Sequence, residues 1–222
     1  MTEVRLHDVD LIPERTLGSP ADDGPLRGRL TFGWDLLPAG HEGVPEDWLS
    51  YLRATPDREF RQLLMVCSFR PETPASRGEF RHASLGVALS TPEPEARPIA
   101  RLIDPGERTR PVAGSGTGVS FAVTAGVLEV GMEKPPGTGP GREEWIVRGH
   151  GASQPNPQWE FRRVKRFPLV GDHHVAALVE LVPGRVNTAE VLVAAELEHR
   201  SWGVRRYRAR VAPPSHAIVL SG

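Results

Sequence analysis

The residues of this chain that could do chemistry are few and far apart. The one thiol, Cys67, sits in the middle of the apolar run Leu63 to Phe69. A nucleophilic cysteine needs a base within hydrogen-bond reach, whereas a buried one behaves as a small hydrophobe, and the neighbours of Cys67 favour the second. His173 and His174 are the only adjacent pair among eight histidines. Neighbours on a strand point to opposite faces, so these two share a metal only if they lie in the turn after Gly171-Asp172. No His-x-His, Cys-x-x-Cys, His-Glu-x-x-His or Gly-x-Ser-x-Gly spacing occurs. The run Gly114-Ser115-Gly116-Thr117-Gly118 could turn backbone N–H groups toward a phosphate, but no Lys-Ser or Lys-Thr follows it, and a strand rather than a helix comes next. The expectation is therefore no catalytic constellation, no metal site and no cofactor. A small-molecule-binding or hydrolytic site built from His82, His150 or His173 with a nearby carboxylate is the alternative.

The basic clusters carry the one positive signal. Arg162, Arg163, Lys165 and Arg166 follow Trp159 and Phe161, and Arg200, Arg205, Arg206, Arg208 and Arg210 surround Trp202. Basic residues interleaved with aromatics suit a single-stranded nucleic acid or a phosphorylated partner. Between Thr188 and Ala212, however, three glutamates offset five arginines, and a solvated ionic face has the same composition. Trp202, at an expected hairpin tip, is the best aromatic anchor for a partner, while Trp145 and Trp159 follow strand parity into the core. The candidate partner-binding residues are thus Trp202, Arg205, Arg206, Arg208, Arg210, Arg162 and Arg163.

Composition narrows the class. A formal net charge of −1 argues against a protein built chiefly to coat nucleic acid. Lys134 and Lys165 are the only lysines, as a GC-rich genome alone would produce. One cysteine excludes an internal disulfide framework. The start carries no apolar signal core and no apolar run approaches a membrane span, so the expected setting is the cytoplasm. With 22 Pro and 23 Gly in 222 residues, short strands joined by many turns are favoured over long helices.

The elements that must position these residues are mostly strands. Pro45 to Arg53 is the one helical piece, with Glu46 and Asp47 at its positive end and Trp48, Leu49, Tyr51 and Leu52 as its apolar stripe. Period-two alternation marks strands at Leu30–Phe32–Trp34, Ala83–Leu89, Trp145–Val147 and Trp159–Phe161, whereas Phe60 to Phe69 matches a helical face at Phe60, Leu63, Leu64 and Cys67 but is read from Leu63 as a buried strand closed by Pro71. Val119–Val123 and Leu128–Met132 alternate in opposite phases, which implies a bulge or a tight bend near Ala125-Gly126. Residues 104–118 read as a flexible loop or internal linker.

The strongest pattern is Thr188 to Ala212. Val191, Val193, Ala195 and Leu197, then Tyr207, Ala209 and Val211, share one parity, and glutamates and arginines take the other. A three-residue loop of Ser201, Trp202 and Gly203 sets Leu197 against Tyr207, Glu196 against Arg208 and Glu198 against Arg206. Val175 to Val211 then reads as a three-stranded meander. Together these features predict an all-β chain, a β-sandwich or jelly-roll-like pair of antiparallel sheets with one short helix near residues 45–53, forming a single domain over 1–222. The expected function is that of a non-enzymatic interaction module acting through a protein partner or a second copy of itself within a larger assembly; anion or single-stranded nucleic-acid binding through the Arg-rich strands comes after it, and no membrane is expected.

Overall fold

The computed structural model describes residues 6–13, 26–40, 44–70, 79–93, 95–112, 121–124, 127–130, 142–165, 167–199, 203–210 and 218–220. Its strands are β1 (His7–Pro13), β2 (Leu26–Pro38), β3 (Phe60–Phe69), β4 (Glu79–Ser90), β5 (Ile99–Asp104), β6 (Glu107–Val112), β7 (Phe121–Thr124), β8 (Val127–Val130), β9 (Arg142–His150), β10 (Gln158–Arg162), β11 (Gly171–Glu180), β12 (Thr188–His199), β13 (Gly203–Arg210) and β14 (Ile218–Val219), with one helix, α1 (Glu46–Ala54).

A first antiparallel sheet runs β5-β11-β3-β2-β1 and a second runs β13-β12-β4-β10-β9-β6, with β14 on β12. β1 belongs to both, since Val9 pairs with Leu30 of β2 whereas Ile12 pairs with Arg208 of β13. The sheets face each other across one core: Leu63, Met65, Cys67 and Phe69 from β3 meet Leu85, Val87, Trp159, Phe161, Val193 and Leu197 from the second sheet. Each large apolar side chain so buried contributes roughly 1.5–3 kcal/mol, which makes this the expected all-β sandwich. No described helix is long and apolar enough to cross a membrane.

The side opposite the core in the first sheet is covered by α1. Val175, Ala177 and Val179 of β11 face the inter-sheet core, while Ala176 and Leu178 face Trp48 and the half-buried Leu49, Tyr51 and Leu52 of the helix. β11 is therefore buried on both sides from Val175 to Val179, which explains its nearly continuous apolar run.

Several expectations need correction. The strand expected from Leu63 begins at Phe60. The segment 104–118 is no open loop in its first half, because Glu107–Val112 is a strand paired with β9; residues 113–120, the glycine run included, lie outside the described residues. There is no meander from Val175: β11 pairs with β3 and β5 in the first sheet, and β12 pairs with β4 and β13 in the second. The chain changes sheets at a corner held by Asn187, which is fully buried and bonded to the Val182 N–H (2.8 Å), the Val182 carbonyl (3.1 Å) and the Arg185 carbonyl (2.9 Å).

The hairpin register is also displaced by two. Ala195, not Leu197, lies opposite Tyr207; Glu196 faces Arg206, and Glu198 faces Val204. A shift of two leaves every odd residue on its own side, so the burial pattern cannot distinguish the two registers. β7 and β8 pair antiparallel, with Phe121 opposite Val130 and Val123 opposite Leu128, while Ala125 and Gly126, where a bulge or tight bend is expected, lie outside the described residues.

Candidate interaction face

The solvent side of the second sheet gathers most of the polar residues of interest. On β10, Trp159 and Phe161 are fully buried while Gln158, Glu160 and Arg162 alternate with them toward water. β4 presents His82, Ser84, Gly86 and Ala88 in the same way, between Ala83, Leu85, Val87 and Leu89. β12 adds Glu190, Leu192, Ala194, Glu196 and Glu198, opposite in phase to its buried odd residues.

Strand pairing arranges these positions in rows. One runs Arg148–Glu160–Ser84–Ala194–Arg208, a second His150–Gln158–Gly86–Leu192–Arg210, and a third Arg162–His82–Glu196–Arg206. Arg162 and the register positions of Arg206, Arg208 and Arg210 are thus brought to one face, three strand spacings or roughly 14 Å apart. Arg205 does not join them, since its register partner is the buried Leu197. Arg163 sits at the margin, donating to Glu79 (2.9 Å) and to Glu198. Trp202 lies outside the described residues.

The feature that parity hides is Trp145. Arg108 pairs with Val147 and Thr109 with Trp145, so Ile146 is an extra residue, a bulge in β9. Ile146 and Val147 both turn to the core, and Trp145, expected inside, is left half-buried on the outer face. There its ring takes the guanidinium of Arg162 at 4.3 Å and that of Arg148 at 4.9 Å. Carboxylates hold both arginines in place, Glu144 on Arg162 at 3.2 Å and Glu107 on Arg148 at 2.7 Å. Ion pairs this exposed contribute roughly 0–1 kcal/mol each, so what they supply is position: a large aromatic set rigidly between two cations.

The histidines do not converge. His150 is exposed, with Nε2 4.0 Å from Glu160, and His82 stands two rows away between Arg162 and Glu196. His173 belongs to the other sheet and turns inward, its ring against Phe69 and Phe161, whereas His174 beside it is exposed. Cys67 is 1% exposed, and burial pushes its thiol up to about 12, the reverse of what a nucleophile needs. Among the described residues no three His, Cys, Asp or Glu side chains are grouped to hold a metal ion.

A second charged cluster, invisible in the sequence, lies on the first sheet. Glu180 receives Arg58 at 2.8 Å and Arg101 at 2.5 Å. These residues are 122 and 79 positions away from it in the chain, a separation over which no motif could connect them. The cluster ties α1's exit, β5 and β11 together. No protein-family model matches this chain, and no curated protein matches it in sequence.

Proposed function

We propose that the chain is a non-enzymatic β-sandwich interaction module, working in the cytoplasm within a larger assembly, and that a protein partner sits on the solvent face of the second sheet around Trp145. The observation that carries this is the bulge at Ile146, which withdraws a tryptophan from the core and fixes it between Arg148 and Arg162. Aromatic and arginine side chains held in one geometry lose little entropy on binding and dominate interface energetics.

A mixed-charge protein surface fits better than a nucleic acid. Arg148, Arg162 and Arg163 each already have a carboxylate, and Glu160 and Glu196 occupy the same rows as the arginines. A phosphate backbone would meet both signs of charge.

The test is affinity purification from the native cell with the tagged chain and its Trp145→Ala variant in parallel. The expected outcome is a stoichiometric companion with the first and a loss of about tenfold or more with the second, at unchanged unfolding midpoint. Equal recovery with both, or a companion with neither, removes the proposal. Added single-stranded DNA that competes at low salt and fails at high salt would instead favour Arg206, Arg208 and Arg210 along β13 as an anion site.

A further inference from the structure

The strand order ends at β5 on one side and at β6 on the other, and the two ends are finished differently. Beyond β5 the turn of residues 151–154 caps the ladder: the Ala100 N–H donates to the Gln154 carbonyl at 3.0 Å, and the Ser153 N–H to the Ala100 carbonyl at 2.7 Å. β6 has β9 as its one strand partner among the described residues.

The bond from the Gly149 N–H to the Gly106 carbonyl fixes which way the backbone of β6 faces. Along an antiparallel pair, residues bonded to the partner strand alternate with residues whose N–H and C=O groups point away from it. Gly106 is bonded to β9, so Glu107, Thr109 and Pro111 turn their backbone groups to the open side. The extra residue Ile146 is on β9, which leaves the alternation along β6 unbroken. Pro111 fits this phase, because on the open side its missing N–H costs the ladder to β9 no bond. The edge thus offers the N–H groups of Glu107 and Thr109 and the carbonyls of all three, a template for a short added strand.

The side chains select what can be added. Arg108 and Arg110 share one side of the strand, both are exposed, and Arg110 lies over the Phe167 ring at 6.0 Å. Neither is paired with a carboxylate among the described residues: Glu144, across the ladder from Arg110, is bonded to Arg162, and Glu107 is bonded to Arg148.

We propose that the open edge of β6 takes an extended acidic segment of a protein partner as an added strand, with carboxylates at alternate positions opposite Arg108 and Arg110. Opposite charges directly across a ladder stabilise it and like charges oppose it, so the β6 of a second copy, which would set arginine against arginine, is not the occupant. A phosphate backbone would answer the two cations but supplies no donors for the Glu107 and Thr109 carbonyls. Main-chain bonds give such an added strand its affinity and alternate side chains its specificity. Thr109 lies opposite Trp145, so the strand would border the Trp145 face. The proposal rests on the reading of the chain as an interaction module, though not on Trp145 as its anchor.

The test uses the purified full-length chain and a synthetic peptide of about ten residues in which Glu alternates with Thr. Two controls accompany it: the same peptide N-methylated at its Thr residues, which keeps the charge but removes the donors that would bond β6, and a version with Lys in place of Glu. Amide exchange at Glu107 and Thr109, followed by NMR with peptide at about 1 mM, should slow about tenfold or more with the Glu peptide and change less than about twofold with either control. The Arg108→Gln, Arg110→Gln double variant should lose the effect. Should that variant fail to fold, the three peptides decide on the wild type alone. No slowing with the Glu peptide, or equal slowing with the N-methylated one, overturns the added strand. An undiminished effect with the Lys peptide or in the folded double variant overturns the acidic preference. Oligothymidylate that slows the same two amides as much as the Glu peptide overturns the proposal in favour of a nucleic acid. Because no step depends on Trp145, a negative result here leaves the Trp145→Ala comparison standing, and the reverse.

Discussion

Glu180 shows how single residues act here. Burial alone would raise the pKa of its carboxyl, but hydrogen bonds from Arg101 and Arg58 outweigh burial and hold it below the usual carboxylate range. Arg58 is about half in water, so screening limits the gain. Glu180→Gln should lower stability by about 1 kcal/mol at neutral pH. The sign follows from the depressed pKa: the contribution is present above the unfolded carboxylate value, roughly 4.3, and is lost as pH falls through the lower folded-state value. Urea unfolding of wild type and variant across the acid range should therefore show a difference that closes as pH falls below the usual carboxylate range. A constant difference would mean that shape rather than charge is being lost. Neither arginine could have been assigned to Glu180 from the sequence, because β5, β11 and the turn after α1 meet only through the sheet.

Elements with an unbroken period were legible; those with one inserted residue were not. β4, β10 and β12 alternate along most of their length, and their buried sets are Ala83–Leu89, Trp159–Phe161 and Ala189–Leu197, as parity requires. In β9 the single extra residue Ile146 reverses the face of everything before it, and Trp145 was assigned to the core for that reason alone. The turn after β12 set the register of β13 wrongly by two, a displacement that leaves side-chain faces unchanged and so has no signature in hydrophobicity. The helix was legible from its stripe: Trp48 is 2% exposed and α1 is nine residues long, too short to persist alone. Its stability is thus the stability of its contact with Leu178, Ala176 and Phe60. Trp48→Ala should cost about 3–5 kcal/mol, and the helix should melt together with the sheet in far-ultraviolet circular dichroism. A separate early helix transition, leaving the sheet's midpoint in place, would contradict this.

At the scale of the whole molecule, strand order decides what can fold by itself. Nearest neighbours in sequence make some hairpins, β1 with β2, β9 with β10 and β12 with β13, of which the last is the one read from the sequence. The long-range pairings bind the halves to each other: β3 of the first half is covered by β11 of the second, and β4 lies between β10 and β12. The two sheets also meet at their β5–β6 margin, where the Gly149 N–H donates to the Gly106 carbonyl at 2.7 Å. A Cβ at Gly149 would stand 2.6 Å from the Pro105 carbonyl oxygen, so only glycine permits that approach. Residues 104–106, the start of the segment that composition marks as a linker, are therefore the short link between β5 and β6. Fragments 1–106 and 107–222 expressed separately should each lack cooperative unfolding, because each exposes sheet faces and strand edges that the other covers. The intact chain should unfold in one step, with tryptophan fluorescence and circular dichroism giving the same midpoint. A cooperative transition in either fragment alone, or two separated midpoints in the whole chain, would show instead that the sandwich is two units joined near residue 105.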